Sequence, residues 1–279
     1  DFDNSEVVTQ RYIITLFAFE TGTKWDNGTI SSKWNDRTGW LDGGNFCDWY
    51  GITCGERDAF INAKDLISFT ETASSSTLRI SRTSIAYQQT EPNQMITGIV
   101  LNNNNLKGEL IPEIFYLRHL EHLELENAEL NGEIGKKVKL WSAMKTLSLK
   151  GTKKLKGMIP NEVGALSELK ELSLRGNSLE GPLPSTLGSL SNLEVLDLSE
   201  NKLYSNIPAE LSESEKLRII KLNGNNLYGK LPLQLGSLDS LEEFDVSHNA
   251  LIGAVKYRIF VGWEKISKYA IDLVLLCRT

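Results

Sequence analysis

The residues of this chain that could do chemistry are few and scattered. His119, His122 and His248 are its only histidines. His122, Glu124 and Glu126 alternate, so in a strand they would project to one side; this is the single grouping that looks like metal ligands, and solvated polar strand residues are the better explanation of it. No Ser-His-Asp arrangement, Gly-rich phosphate loop or multi-cysteine metal spacing occurs. Acids on neighbouring strands could serve as general acid and base, but nothing in the sequence builds a cleft around them. The expectation is a non-enzyme with no catalytic residue, no metal and no cofactor.

Cys47 and Cys54 enclose Asp-Trp-Tyr-Gly-Ile-Thr. They are either two buried thiols or a disulfide, and the disulfide, which requires an oxidising compartment, is preferred. Cys277 is then left over as a free thiol, an intermolecular bridge or the remnant of a lost pair. The formal net charge of −6 and pI near 5.3 argue against nucleic acid or an anionic membrane surface as the main partner, since both attract basic patches. The apolar tail Leu273 to Cys277 is far shorter than the roughly 20 residues that span a bilayer.

The elements that must position these residues come from one pattern. Aligning Leu-x-x-Leu-x-Leu-x-x-Asn-x-Leu puts its second strand leucine at Leu101, Leu125, Leu149, Leu174, Leu198, Leu222 and Val246, with spacings of 24, 24, 25, 24, 24 and 24 residues. A period of that length is a leucine-rich repeat, and repeats of this kind stack into a solenoid whose units share one core. The fold class is therefore an α/β solenoid: a right-handed horseshoe with a parallel concave sheet and a convex side of turns and short 3₁₀ segments. Residues 1–54 form an N-terminal cap, 55–94 an insertion, 95–255 seven repeats, and 256–279 a degenerate eighth repeat with a C-terminal cap. The last assignment rests on Phe260-x-x-Trp263-x-x-Ile266-x-x-Tyr269-x-Ile271, which matches Leu235, Leu238, Leu241, Phe244 and Val246 at an offset of 25.

Within the cap, Val8, Tyr12 and Leu16, with Ile13 and Phe17 beside them, predict an amphipathic helix over 5–20 capped by Ser5. A loop over 21–45 follows, pinned by Trp25, Trp34 and Trp40 as packing residues. Asn27-Gly28-Thr29 is a candidate glycosylation acceptor. Residues 55–94 are open to three readings: a hairpin of 66–72 with 77–83, a worn extra repeat, or partial disorder.

The run Cys47-Asp48-Trp49-Tyr50-Gly51-Ile52-Thr53-Cys54 resembles the N-terminal cap of plant-type extracellular leucine-rich repeat proteins. Thr9-Gln10-Arg11-Tyr12 and Thr38-Gly39-Trp40-Leu41 are especially similar to secreted repeat proteins of diatoms and related algae. The resemblance implies a lid of one helix and a short strand, locked by the cysteine pair. It also implies that endings such as Leu155-Lys156-Gly157-Met158-Ile159-Pro160 form a second short strand and a 3₁₀ turn, and that Asn104, Asn177, Asn201, Asn225 and Asn249 stack as a ladder satisfying backbone groups. Ala128 and Thr152 interrupt that ladder, and repeat three carries one extra residue, so a local irregularity is expected there. The family usually runs straight from the second cysteine into the repeats, from which the insertion departs.

The register also says what the concave sheet displays. Seven acids, Glu124, Glu126, Glu171, Asp197, Glu200, Glu243 and Asp245, face three bases, Lys150, Arg175 and Lys221, with no aromatic residue among them. Any ligand held there is polar or basic. Tyr204, Tyr228 and Ile252 occupy one repeat position each on the lateral flank and form a second candidate contact strip.

Two function classes follow. One is a non-catalytic protein-interaction scaffold, docked in a multi-subunit assembly through flank, insertion or tail. The other is a secreted or cell-surface recognition module that binds a peptide or glycan, like a receptor ectodomain or an inhibitor. Cys277, the apolar tail and the insertion favour the docked subunit. Either way the location is extracellular or an oxidising organelle lumen, and a chain opening at Asp1 with such a cap reads as a processed form lacking its targeting segment.

Overall fold

A computed structural model describes residues 4–26, 29–32, 34–38, 40–41, 45–56 and 94–252. Asn27, the bulk of the insertion, the eighth repeat, the C-terminal cap and Cys277 lie outside them.

The chain winds as successive coils of the same construction. Each contributes a strand of the concave sheet, a strand of a flanking sheet and a 3₁₀ turn on the convex side, as in Glu171–Ser173, Ser178–Gly181 and Ser185–Ser189. The concave sheet has eight strands. Seven run parallel, from Gln94–Val100 to Glu243–Asp245, and cap strand Ile52–Glu56 closes the N-terminal edge antiparallel to the first. The flank sheet has seven parallel strands, from Lys107–Glu109 to Ala250–Leu251. Between the sheets and the 3₁₀ turns runs one core, in which the repeat leucines Leu123, Leu147, Leu172, Leu196 and Ile220 are all 0% exposed. No coil could bury its apolar side alone, so the stack is what makes each coil stable.

Where each concave strand bends towards the flank, backbone groups are buried without a ladder partner. The asparagine amides supply it. Asn201 Nδ2 donates to Leu174 O at 2.9 Å and to Leu198 O at 3.1 Å, while its Oδ1 accepts from Leu179 N at 3.1 Å. Asn225 and Asn249 repeat the arrangement one coil further on. The irregularity falls in the third repeat: the Thr152 hydroxyl bonds Leu149 O and the Asn177 side chain, and the extra residue Lys153 takes a left-handed conformation, φ 59°.

The cap is a helix, Asn4–Glu20, a two-stranded hairpin and a 3₁₀ turn, Phe46–Asp48. Cys47 and Cys54 form a disulfide with Cα atoms 5.6 Å apart. The helix buries Gln10, Ile13, Ile14, Phe17 and Ala18, whereas Tyr12 is 54% exposed and Leu16 only partly buried. The face turned inward is thus rotated from the Tyr12–Leu16 stripe that spacing alone suggested. Against it runs a chain of rings, Phe17, Trp34, Trp40 and Trp49, with successive centroids 6.5, 4.8 and 5.0 Å apart. Gly108, at φ 139°, lets the flank sheet meet the helix end: a Cβ there would collide with Glu20 O.

The insertion is anchored at both ends. Glu56 pairs with Gln94 in the antiparallel ladder that joins Ile52–Glu56 to Gln94–Val100. The chain therefore leaves and re-enters the sheet at adjacent positions, which lets an insertion of this length leave the solenoid register undisturbed.

Asn201→Ala would leave the buried Leu179 amide without its acceptor, while Leu174 O keeps the Asn177 amide and Leu198 O the Asn225 amide as donors. One unmet buried group costs about 1–3 kcal/mol, so urea denaturation is expected to show a loss of roughly 2 kcal/mol. A loss below about 1 kcal/mol would mean that water or relaxation, rather than the amide, serves the bend.

Candidate functional site

The concave sheet is the broadest face on which the chain displays polar side chains in order. Alternation turns the middle residue of each strand into the core and the residues on either side of it outward. Parallel register then lines these outward residues into rows across the coils. One row is His122, Thr146, Glu171, Val195, Ile219 and Glu243; the next is Glu124, Ser148, Ser173, Asp197, Lys221 and Asp245. Asn102, Glu126, Lys150, Arg175 and Ser199 follow two residues further along the chain.

A last row, Asn103, Asn127, Gly151, Glu200, Gly224 and His248, has positive φ throughout. That conformation suits glycine and tolerates asparagine. Glu200, at φ 56°, carries a Cβ there at a cost of about 1–2 kcal/mol. Its carboxylate reaches the Arg175 guanidinium at 2.7 Å.

All three concave bases are engaged. Lys150 lies 3.3 Å from Glu126, Arg175 pairs with Glu200, and Lys221 lies 3.0 Å from Glu243. Glu124, Glu171, Asp197 and Asp245 have no ion pair among the described residues. Glu124 accepts from Asn102 Nδ2 at 2.9 Å, Asp197 from the Ser199 hydroxyl, and Asp245 from Ser247 N at 2.9 Å. The structure brings Glu124, Glu126, Lys150 and Asp197 into electrostatic range of Glu171; Asp245 stands apart on the last described strand. Burial, reinforced by Glu124, Glu126 and Asp197 against the opposing pull of Lys150, pushes the Glu171 carboxyl above its ordinary value.

Among the described residues no three His, Cys, Asp or Glu side chains are placed to hold a metal ion, His122, Glu124 and Glu126 included. No helix among them is long and apolar enough to cross a membrane.

The flank presents a different surface. Tyr204, Tyr228 and Ile252 are 50%, 51% and 63% exposed. Neither tyrosine ring stacks on another aromatic ring among the described residues, so the pair is not spent on its own packing. Sequence reasoning did not single out Ser148 and Ser173, which are almost fully buried yet face the concave side. Their direction is readable from alternation, but their depth is not.

Comparison with known proteins agrees with this geometry. A leucine-rich repeat family model matches residues 167–227. No curated protein matches the chain. Among solved structures, the ectodomain of the Arabidopsis receptor kinase HAESA, in complex with an N-terminally extended IDA peptide hormone, is 21% identical with a TM-score of 0.65, over 92% of this chain and 36% of that one. The PEPR1–AtPEP1 complex is 21% identical with a TM-score of 0.64, over 88% and 29%. The plant peptide hormone receptor RGFR1, in complex with RGF2, is 32% identical with a TM-score of 0.51, over 60% and 30%. The chain spans about a third of the length of these receptors. Its fold is a leucine-rich repeat solenoid with a cysteine-bridged N-terminal cap.

The crowding of Glu171 has a consequence for stability. An acid whose pKa is raised by folding destabilises the fold when it ionises; the penalty is full above the raised value, shrinks as pH falls through it and vanishes below the ordinary 4.5. Glu171→Gln is therefore expected to raise the melting temperature at neutral pH and to leave it unchanged in acid. A lower melting temperature at neutral pH would show that the carboxylate is held by a partner rather than crowded by its neighbours.

Proposed function

We propose that this chain is a non-catalytic recognition module that binds a polypeptide along its concave sheet in an extracellular or comparable oxidising setting. The observation that carries the reading is the unbalanced charge of that sheet: its three bases are neutralised by ion pairs, which leaves Glu124, Glu171, Asp197 and Asp245 facing solvent on a rigid, ordered surface. Complementary charge steers encounter and selects partners. Support comes from the peptide complexes of HAESA and RGFR1, and from the disulfide, which persists where the surroundings oxidise. Asn27 as a glycan acceptor, residues 256–279 as eighth repeat and cap, and an algal affiliation carried by the cap motifs are compatible proposals; the first two fall outside the described residues.

The exposed strip Tyr204, Tyr228 and Ile252 favours a second reading, a subunit docked in a larger assembly by its flank. Tyrosine suits such contacts, combining a large apolar body with a polar tip.

Carbodiimide footprinting of the chain, with peptides selected from a random display library, separates the two. The concave reading expects protection of Glu124, Glu171 and Asp197 with the convex Glu162 and Glu210 still labelled, and it expects Tyr204→Ala with Tyr228→Ala to leave peptide capture unchanged. Protection absent from the concave acids refutes it. Loss of a defined native complex in the double tyrosine variant would establish the docked subunit.

A further inference from the structure

One place on the concave sheet is built differently from the rest. In the row Glu124, Ser148, Ser173, Asp197, two short side chains stand between two carboxylates. Strands in a sheet lie about 4.8 Å apart, so Glu124 and Asp197, three strands apart, are separated by roughly 14 Å. The serines floor a trough between them. Glu171 stands beside it on the same strand as Ser173, and Val195 beside Glu171 in the adjoining row.

The two floor hydroxyls differ. Ser148 Oγ donates to Glu126 Oε1 at 2.8 Å. Ser173 is 4% exposed, its neighbours Leu172 and Leu174 point into the core, and its hydroxyl has no hydrogen-bond partner among the described residues. Among the described residues the one fully buried side-chain polar atom without a partner is Trp49 Nε1, so the Ser173 hydroxyl keeps a small accessible surface. It is sunk in the sheet yet open to the concave side, with Glu124, Glu171 and Asp197 around it and the nearby bases, Lys150 and Arg175, already beside Glu126 and Glu200.

We propose that this trough is the seat of one lysine or arginine side chain of the bound polypeptide, with Ser173 Oγ and the carboxylates of Glu171 and Asp197 or Glu124 as its acceptors. The inference rests on the reading that the concave sheet binds a polypeptide, and it names the residue class recognised there. An ammonium or guanidinium carries several N–H donors and no acceptor, which matches a pocket offering acceptors in excess. Hydrogen bonds between ionised partners are about twice as strong as neutral ones. The aliphatic stem of either side chain would lie along Val195, keeping its charged head at the floor. A metal ion is the poorer occupant, because the carboxylates stand too far apart to converge on one centre.

The test uses fluorescein-labelled pentalysine and the full chain, read by fluorescence anisotropy at low salt. Glu171→Gln is expected to weaken binding about tenfold, equivalent to about 1.4 kcal/mol. Glu210→Gln, which removes the same charge from the convex side, is expected to leave it unchanged. Ser173→Ala supplies a second readout that does not alter charge. Because the hydroxyl has no partner in the free protein, the variant should melt at the parent temperature or above it, yet bind pentalysine several-fold more weakly. Equal effects of Glu171→Gln and Glu210→Gln, or binding untouched by Ser173→Ala, would overturn the assignment. If library peptides footprint on the concave acids without enrichment in lysine or arginine, the seat is wrong and the concave reading stands. If no peptide protects the concave acids, both fall together.

Discussion

Every coil of this protein must turn sharply from the concave strand into the flank, and the turn buries backbone groups that neither sheet can reach. In the regular coils one asparagine amide answers them, bonding a carbonyl of its own coil, a carbonyl of the preceding coil and an amide of the preceding flank strand. The same side chain thus closes the bend and ties neighbouring coils in register. At the first repeat there is no preceding coil, and the cap replaces it: Asn104 Nδ2 donates to Asp36 O at 2.7 Å, and its Oδ1 accepts from Asp36 N at 2.6 Å. Asp36 is held in turn by Thr38, whose hydroxyl and amide both donate to its carboxylate and keep that group below its ordinary pKa. The cap therefore reproduces, with one loop residue, the backbone positions that a coil would have supplied.

The ladder is interrupted where Ala128 and Thr152 take the asparagine position. Thr152 retains part of the role through its hydroxyl, but Ala128 contributes no side-chain bond. In a one-dimensional array, stability is close to a sum of nearest-neighbour terms, and the junctions of the first coil with the second and of the second with the third both lack the asparagine tie, since the Thr152 hydroxyl bonds its own coil and the next. Other contacts cluster nearby: Phe115 and Trp141 lie with ring centroids 4.7 Å apart, and Trp141 Nε1 donates to Ile114 O. Aromatic packing on the convex side thus accompanies the missing amides.

Much of this architecture was legible because the signals are local and recur. The spacing of Leu101 to Val246, the cysteine pair and the asparagines each define a position relative to the next repeat, and a solenoid turns such spacings directly into neighbours. Features set by contacts between distant segments were not legible. The inward face of the cap helix depends on the tryptophans it meets rather than on its own periodicity, and so Tyr12 lies outside. That the insertion begins and ends in paired positions required knowing that Ile52–Glu56 and Gln94–Val100 are partners. On the concave sheet, the tally of acids and bases followed from alternation, but which charges cancel did not. Arg175 meets Glu200 of the next coil, whose left-handed backbone the repeat spacing does not announce.

In the proposed reading, those pairings determine what the concave sheet recognises. Its strands are held on both faces of the ladder and its floor residues are packed from beneath, so the acids cannot regroup to suit a ligand. An incoming segment meets a pattern in which the basic side chains are already bridged while Glu124, Glu171, Asp197 and Asp245 have no ion pair among the described residues. An acidic segment would have to break Lys150–Glu126 or Arg175–Glu200 to find a cation there, exposing the released acid to further repulsion. A basic segment needs no such rearrangement and relieves the crowding around Glu171 as it arrives. The sheet's selectivity thus follows from pairing within the protein as much as from the charges it displays.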